Sequence, residues 1–149
     1  VRKRLLILLA VLGLGAVALA AALGSAFGNG VIPTGEHTAG FFRFFAWSSG
    51  PRAFGALRFV EASPNQVLNV VELPAVQRAE FSGNSVVFRG PGTLNRHRVL
   101  VVVRAVDNRG PNHPGDPDEF QITCFRENQI VYQRQGPVVH GDIAVFTRP

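Results

Sequence analysis

The sequence is poor in the residues that cross-linked and catalytic folds depend on. Cys124 is the single cysteine in 149 residues, so no internal disulfide can hold the fold and stability must come from packing. Lys3 is the single lysine; every other basic residue is arginine. Beyond residue 30 no stretch repeats its apolar residues with helical spacing. There is no Gly-rich phosphate loop, no G-x-S-x-G elbow and no carboxylate pair in a motif context. The four histidines, His37, His97, His113 and His140, are scattered, whereas a structural zinc site needs closer clustering. Three of the 15 basic residues are Arg2, Lys3 and Arg4, which leaves 12 arginines against 10 acids. A balance that even gives no electrostatic footprint for nucleic acid.

What is present begins with an apolar run. Residues 5–23 contain no charge and follow directly on Arg2, Lys3 and Arg4. This is the layout of a secretory signal, a basic start followed by an apolar helix and then small residues. Cleavage sites are available after Ala20, Ala22 or Ala26. A run of 19 apolar residues is also long enough to span a bilayer. The expected organisation is therefore a signal peptide or membrane anchor over 1–26, a Gly- and Pro-containing linker over 27–36, and one domain over 37–149. The expected location is secreted and extracellular, with a membrane anchor at residues 5–23 as the alternative.

The domain reads as β-structure. Short alternating runs at 37–47, 53–61, 66–72, 76–81, 85–89, 97–107, 120–125, 129–134 and 142–146 are separated by turn residues about every ten positions. The expectation is an all-β, antiparallel β-sandwich or flattened barrel of about eight strands. Ser82-Gly83-Asn84 predicts a tight hairpin, because Gly and Asn tolerate positive φ. Gly90, Pro91 and Gly92 read as a turn leading into the central strand. There Val99, Val101, Val103 and Ala105 share one face and Arg98 and Arg104 the other, so the odd face points to the core. Phe120, Ile122 and Cys124 alternate with Gln121 and Thr123, which makes Cys124 a buried, inert thiol. At 37–47, Phe41, Phe45 and Trp47 lie on one parity and Phe42 and Phe44 on the other. That pattern predicts a strand covered on both sides, or a platform for a carbohydrate or partner.

Two constellations carry possible chemistry. Asp107, Asn108, Asp116, Asp118 and Glu119 supply oxygen ligands of the kind calcium takes, and Asp107, Asp116 and Asp118 are the candidate ligands. The glycine placement of an EF-hand is missing, and Asp and Asn beside Gly and Pro also form ordinary turns. Separately, Ile122-Thr123-Cys124 followed by Arg134 resembles the cysteine strand of a sortase, a β-barrel transpeptidase. His37, His97 or His140 would then have to act as base, and the core-facing parity of Cys124 opposes this.

From Gly92 to Phe146 the order of signatures has a further likeness. Gly92 and Asn95 precede an alternating strand ending in Asp107-Asn108. A Pro- and Gly-containing acidic loop follows, then Phe120-x-Ile122, the Tyr132 strand and Gly141-Asp142-Ile143. This resembles the post-choice-of-anchor (post-COAP) domain, a β-rich module of secreted bacterial proteins. The chain departs from it in reducing the glycine-rich opening to Gly35 and Gly40 and in expanding the loop by Asn112-His113-Pro114. The resemblance implies an accessory domain of an exported protein. It brings no activity with it. The functional expectation is a non-catalytic extracellular module for binding, adhesion or packing against a protein or cell-surface partner. It needs no cofactor beyond possible calcium, and it meets a membrane only through an uncleaved N-terminal segment.

Overall fold

A computed structural model describes residues 23–109 and 115–148. Of the expected signal segment over 1–26, residues 1–22 lie outside the described residues, as does His113, and residues 23–26 are strand. Ten antiparallel strands follow one another: β1 (Leu23–Gly35), β2 (Thr38–Ser48), β3 (Ala53–Ser63), β4 (Gln66–Leu73), β5 (Arg78–Ser82), β6 (Ser85–Leu94), β7 (His97–Val106), β8 (Glu119–Arg126), β9 (Gln129–Pro137) and β10 (His140–Arg148). They form a single sheet in the order β10-β1-β2-β3-β4-β6-β7-β8-β9, with β5 paired to β6. The sheet curls into a half-barrel around its own inner face. Two separate stacked sheets, as in a sandwich, do not form.

Two of the extra strands arise by interruption. β4 and β5 both run antiparallel to β6, β4 against Thr93 and Leu94 and β5 against residues 85–89. They are successive parts of one column, broken at Pro74, which has no backbone N–H for the ladder. Likewise β9 leaves the edge of β8, and after Val138 and Val139 the chain continues as β10 along β1. The Val139 N–H donates to the Val31 carbonyl at 2.9 Å. The two ends of the sheet are thus consecutive in the chain, which draws the half-barrel round on itself.

Of the expected linker over 27–36, residues 27–35 are strand: they belong to β1, which pairs with β2 on one side and β10 on the other, and Glu36 starts the turn to β2. Gly24, Ala26, Gly28 and Gly30 all face inward and are buried. A Cβ at Gly28 would lie 2.5 Å from the Phe44 ring, and one at Gly30 would lie 2.9 Å from that of Phe42. Glycine here makes room for phenylalanine, so composition alone mimics a flexible segment. The expected turn at residues 90–92 is also strand, and the chain reverses instead at Asn95 and Arg96, both with positive φ. A side chain at Gly92 would collide with the Glu72 carbonyl, because β4 passes close by. The hairpin at Gly83-Asn84 forms as a two-residue loop between Ser82 and Ser85.

The interior is filled by aromatic rings. Phe120 of β8 stacks on Phe42 of β2 with centroids 4.2 Å apart and meets Phe59 of β3 at 5.9 Å. Phe44 reaches Phe88 at 5.1 Å. These pairs join strands that share no ladder, and each contributes about 0.5–1.5 kcal/mol beyond its apolar burial. Val99, Val101, Val103, Ala105, Ile122 and Cys124 pack with them, as their parity predicts.

Candidate functional site

Because side chains alternate across a strand, β2 divides its aromatic residues between two faces. Phe42 and Phe44 enter the core, whereas Phe41, Phe45 and Trp47 stand on the outside and are exposed. The strand is covered on one side only, which corrects the expectation of burial on both. Neighbouring strands extend the outer row. Ser25 of β1 lies opposite both Phe146 of β10 and Trp47 of β2, and Trp47 lies opposite Phe54 of β3. One row further, Phe27 lies opposite Ala144 and Phe45. Phe27 and Phe146 approach to 5.9 Å between centroids, and Trp47 and Phe54 to 5.3 Å.

Phe27, Phe45, Trp47, Phe54 and Phe146 are each 46–57% exposed, so together they leave on the order of 500 Å² of aromatic surface open. Apolar patches of that size on a monomer are often functional. The face continues into an open groove of about 640 Å³, lined by Phe27, Phe45, Ala56 and Pro74 and by the charged Arg43, Arg58 and Glu72. The rings offer flat apolar area beside guanidinium and carboxylate groups.

A second cluster lies on the inner face. Glu61 of β3 is 3% exposed, yet it holds its charge. Burial by itself would push its carboxyl up, but hydrogen bonds from Arg134, Thr34, Asn69 and Tyr132 outweigh burial and bring it down to about 2. Arg134 Nε donates to Oε2 at 2.7 Å, while Tyr132 Oη and Asn69 Nδ2 each donate to Oε1 at 2.9 Å. The guanidinium also sits over the Tyr132 ring at 4.6 Å. Among the described residues no buried side-chain nitrogen or oxygen lacks a partner. The cluster joins β3 and β4 to β9 across the mouth of the half-barrel and keeps no open acceptor. It is a clasp. Its sequence signal is a charged residue on a core-facing parity: Glu61 follows Leu57 and Phe59, and Arg134 follows Tyr132.

The acidic loop does related work. Asp118 is fully buried, and its Oδ1 accepts from the N–H groups of Asn108 and Arg109 at 2.8 and 3.0 Å. Its Oδ2 accepts from Ile143 N–H at 2.8 Å, and Asp107 Oδ2 accepts from Val145 N–H at 3.2 Å. Ile143 and Val145 lie on the edge of β10 turned away from β1. Two carboxylates therefore cover an edge that no strand covers, where open N–H groups would invite another chain to pair. Asp116, the third candidate calcium ligand, is exposed. Among the described residues no group of three or more His, Cys, Asp or Glu is arranged to hold a metal ion.

Cys124 has no exposed surface, and burial pushes its thiol up to about 12. Arg134 is held by Glu61, and His97 and His140 are exposed at the first residues of β7 and β10. His37 is exposed in the turn between β1 and β2, beside Glu36. A thiolate nucleophile needs a lowered pKa and access to solvent, and this thiol has neither.

Compared with family models, with curated proteins and with solved structures, the chain matches none.

Proposed function

We propose that the chain is a non-catalytic extracellular binding module whose contact surface is the outer aromatic face of β10, β1, β2 and β3. The observation that carries this reading is the exposure of Phe27, Phe45, Trp47, Phe54 and Phe146 on four adjacent strands. Aromatic rings of this kind contribute large contact area at little entropic cost, and they are enriched at the centre of binding interfaces. The polar clusters support a scaffold, because Glu61, Arg134, Asp107 and Asp118 each hydrogen-bond to other strands or loops of the fold. The implied accessory role of post-COAP-like domains points the same way.

Oxidative footprinting tests the reading. Trp47 and Phe54 should be modified rapidly in the purified protein in detergent-free or detergent-dispersed form, and protected when the protein is labelled on the cells that make it. Equal modification in both settings would remove the face as a contact surface.

A further inference from the structure

We infer that the Leu23 end of this face rests on a phospholipid bilayer carrying anionic headgroups, with the apolar run of residues 5–22 holding the chain in that same membrane. The inference rests on the binding-face reading and names what the face binds. Residues 5–22 are uncharged and long enough to cross the ~30 Å apolar core of a bilayer. Leu23, the residue next to that run in the sequence, is already part of β1. A retained anchor would therefore set the end of the sheet that carries Leu23 at the membrane surface.

The residues at that end suit the position. Leu23 is exposed, lies opposite Arg148 on β10, and has the outward parity of Ser25 and Phe27. The row beside it holds Phe146, Trp47 and Phe54, and Arg52 is exposed in the adjoining turn between β2 and β3. Tryptophan and other amphipathic rings settle at the headgroup level of membranes, and arginines there reach lipid phosphates. The outward residues of these first rows include no acid: Leu23 and Arg148, then Phe146, Ser25, Trp47 and Phe54, then Ala144, Phe27, Phe45 and Ala56. On this face acids enter in the next row, with Asp142 on β10 and Glu72 on β4, while the Asp107 carboxylate lies at the free edge of β10, where it accepts from Val145 N–H. The outward face nearest the apolar run is thus apolar and cationic. Phe41, six residues from Trp47 along β2, lies on the order of 20 Å further from that end.

Trp47 is the only tryptophan and reports on this arrangement directly. The full chain is reconstituted in vesicles of phosphatidylcholine and phosphatidylglycerol, and its fluorescence is quenched either by headgroup-proximal nitroxide lipid or by aqueous iodide. Trp47 should be quenched by the lipid and shielded from iodide. The double variant Trp47→Phe with Phe41→Trp moves the probe to the far end of the same exposed face and should reverse both responses. Arg52→Glu with Arg148→Glu should reduce lipid quenching of Trp47 several-fold, and because both positions are exposed the fold should persist. Trp47 shielded from iodide but untouched by the lipid quencher, with shielding that rises with protein density, would mean that a second copy covers the face. That outcome overturns the membrane inference and leaves the binding-face reading standing. Trp47 open to iodide in the vesicles, together with unprotected footprints on cells, overturns both. Recovery of the protein from its host in soluble form, starting near residue 23, overturns the membrane inference alone.

Discussion

Arg134 Nε lies 2.7 Å from Glu61 Oε2, although the two residues are 73 positions apart in the chain. β9 and β3 share no ladder, so this contact is made across the mouth of the half-barrel. It joins the last part of the sheet to its first half at a point where Tyr132, Asn69 and Thr34 also converge on the carboxylate. A carboxylate so buried is costly unless it is paired and hydrogen-bonded. Here it is both.

Acid should therefore weaken the fold in a defined window. The Glu61 carboxyl lies at about 2 in the fold against 4.5 for an ordinary glutamate. Its contribution is complete above about pH 4.5 and is lost as pH falls from there toward 2, on the order of 3 kcal/mol at most. Glu61→Gln should lower the melting temperature at pH 7 and flatten the melting curve's dependence on pH below 4.5. An unchanged acid limb in that variant would show that another carboxylate governs acid unfolding.

Arg134→Ala should cost on the order of 2–4 kcal/mol at neutral pH, because Glu61 would be left buried without its cation. Arg134→Ala combined with Glu61→Gln should recover part of that loss. Chemical denaturation of the single and double variants measures the coupling, and additive losses would mean that the two residues act independently.

The thiol of Cys124 should behave as core. A disulfide exchange reagent should fail to label it in native buffer, and labelling should appear in the same denaturant range in which strand circular dichroism disappears. Rapid labelling of the folded protein would restore the possibility of cysteine chemistry.

Features carried by local alternation were legible in the sequence. Val99, Val101 and Val103 face the core because three β-branched residues alternate with outward positions, and Cys124 shares the parity of Phe120 and Ile122. Glu127 and Asn128 turn the chain between the alternating runs of β8 and β9, both with positive φ. Features that depend on distant strands were hidden. β1 is glycine-rich because Phe44 and Phe42 need space on its inner face, and those rings belong to β2. Gly92 looks like a turn residue and is instead a strand position with β4 against it. The outer aromatic row joins β10 to β1, β2 and β3, so Phe146 and Phe27 meet across more than a hundred residues of chain. Glu61 and Arg134 pair over 73 positions, and neither has a local partner that would have marked it.

Asp142 should limit stability at neutral pH. Burial, and then hydrogen bonding and repulsion from Asp118 with further repulsion from Asp107, raise its carboxyl above the ordinary aspartate value. A raised value means that the charged form is disfavoured in the fold, so stability increases as pH falls through that value. Asp142→Asn should raise the melting temperature at pH 7, and the gain should vanish in acid, where the native side chain is protonated. A variant less stable than the parent at pH 7 would show that the ionised carboxylate makes a favourable contact.

Asp118 should matter through the N–H groups it accepts rather than through a cation. Its two oxygens already take three backbone donors, from Asn108, Arg109 and Ile143. A calcium ion would have to compete with all three, and its ligands would have to come from Asp107, whose Oδ2 accepts from Val145, and from the exposed Asp116. The melting temperature should accordingly be the same in calcium as in chelator, since a ligand stabilises only by binding the folded state. Asp118→Ala should behave quite differently. It leaves buried N–H donors without an acceptor, at roughly 1–3 kcal/mol for each unsatisfied group, and uncovers the edge of β10. The variant should melt earlier and associate through that edge in a concentration-dependent way, as light scattering would record. Asp118→Asn keeps one acceptor oxygen and should fall between the parent and the alanine variant. A calcium-dependent rise in melting temperature that Asp118→Asn abolishes would reverse this assignment and make the loop a metal site.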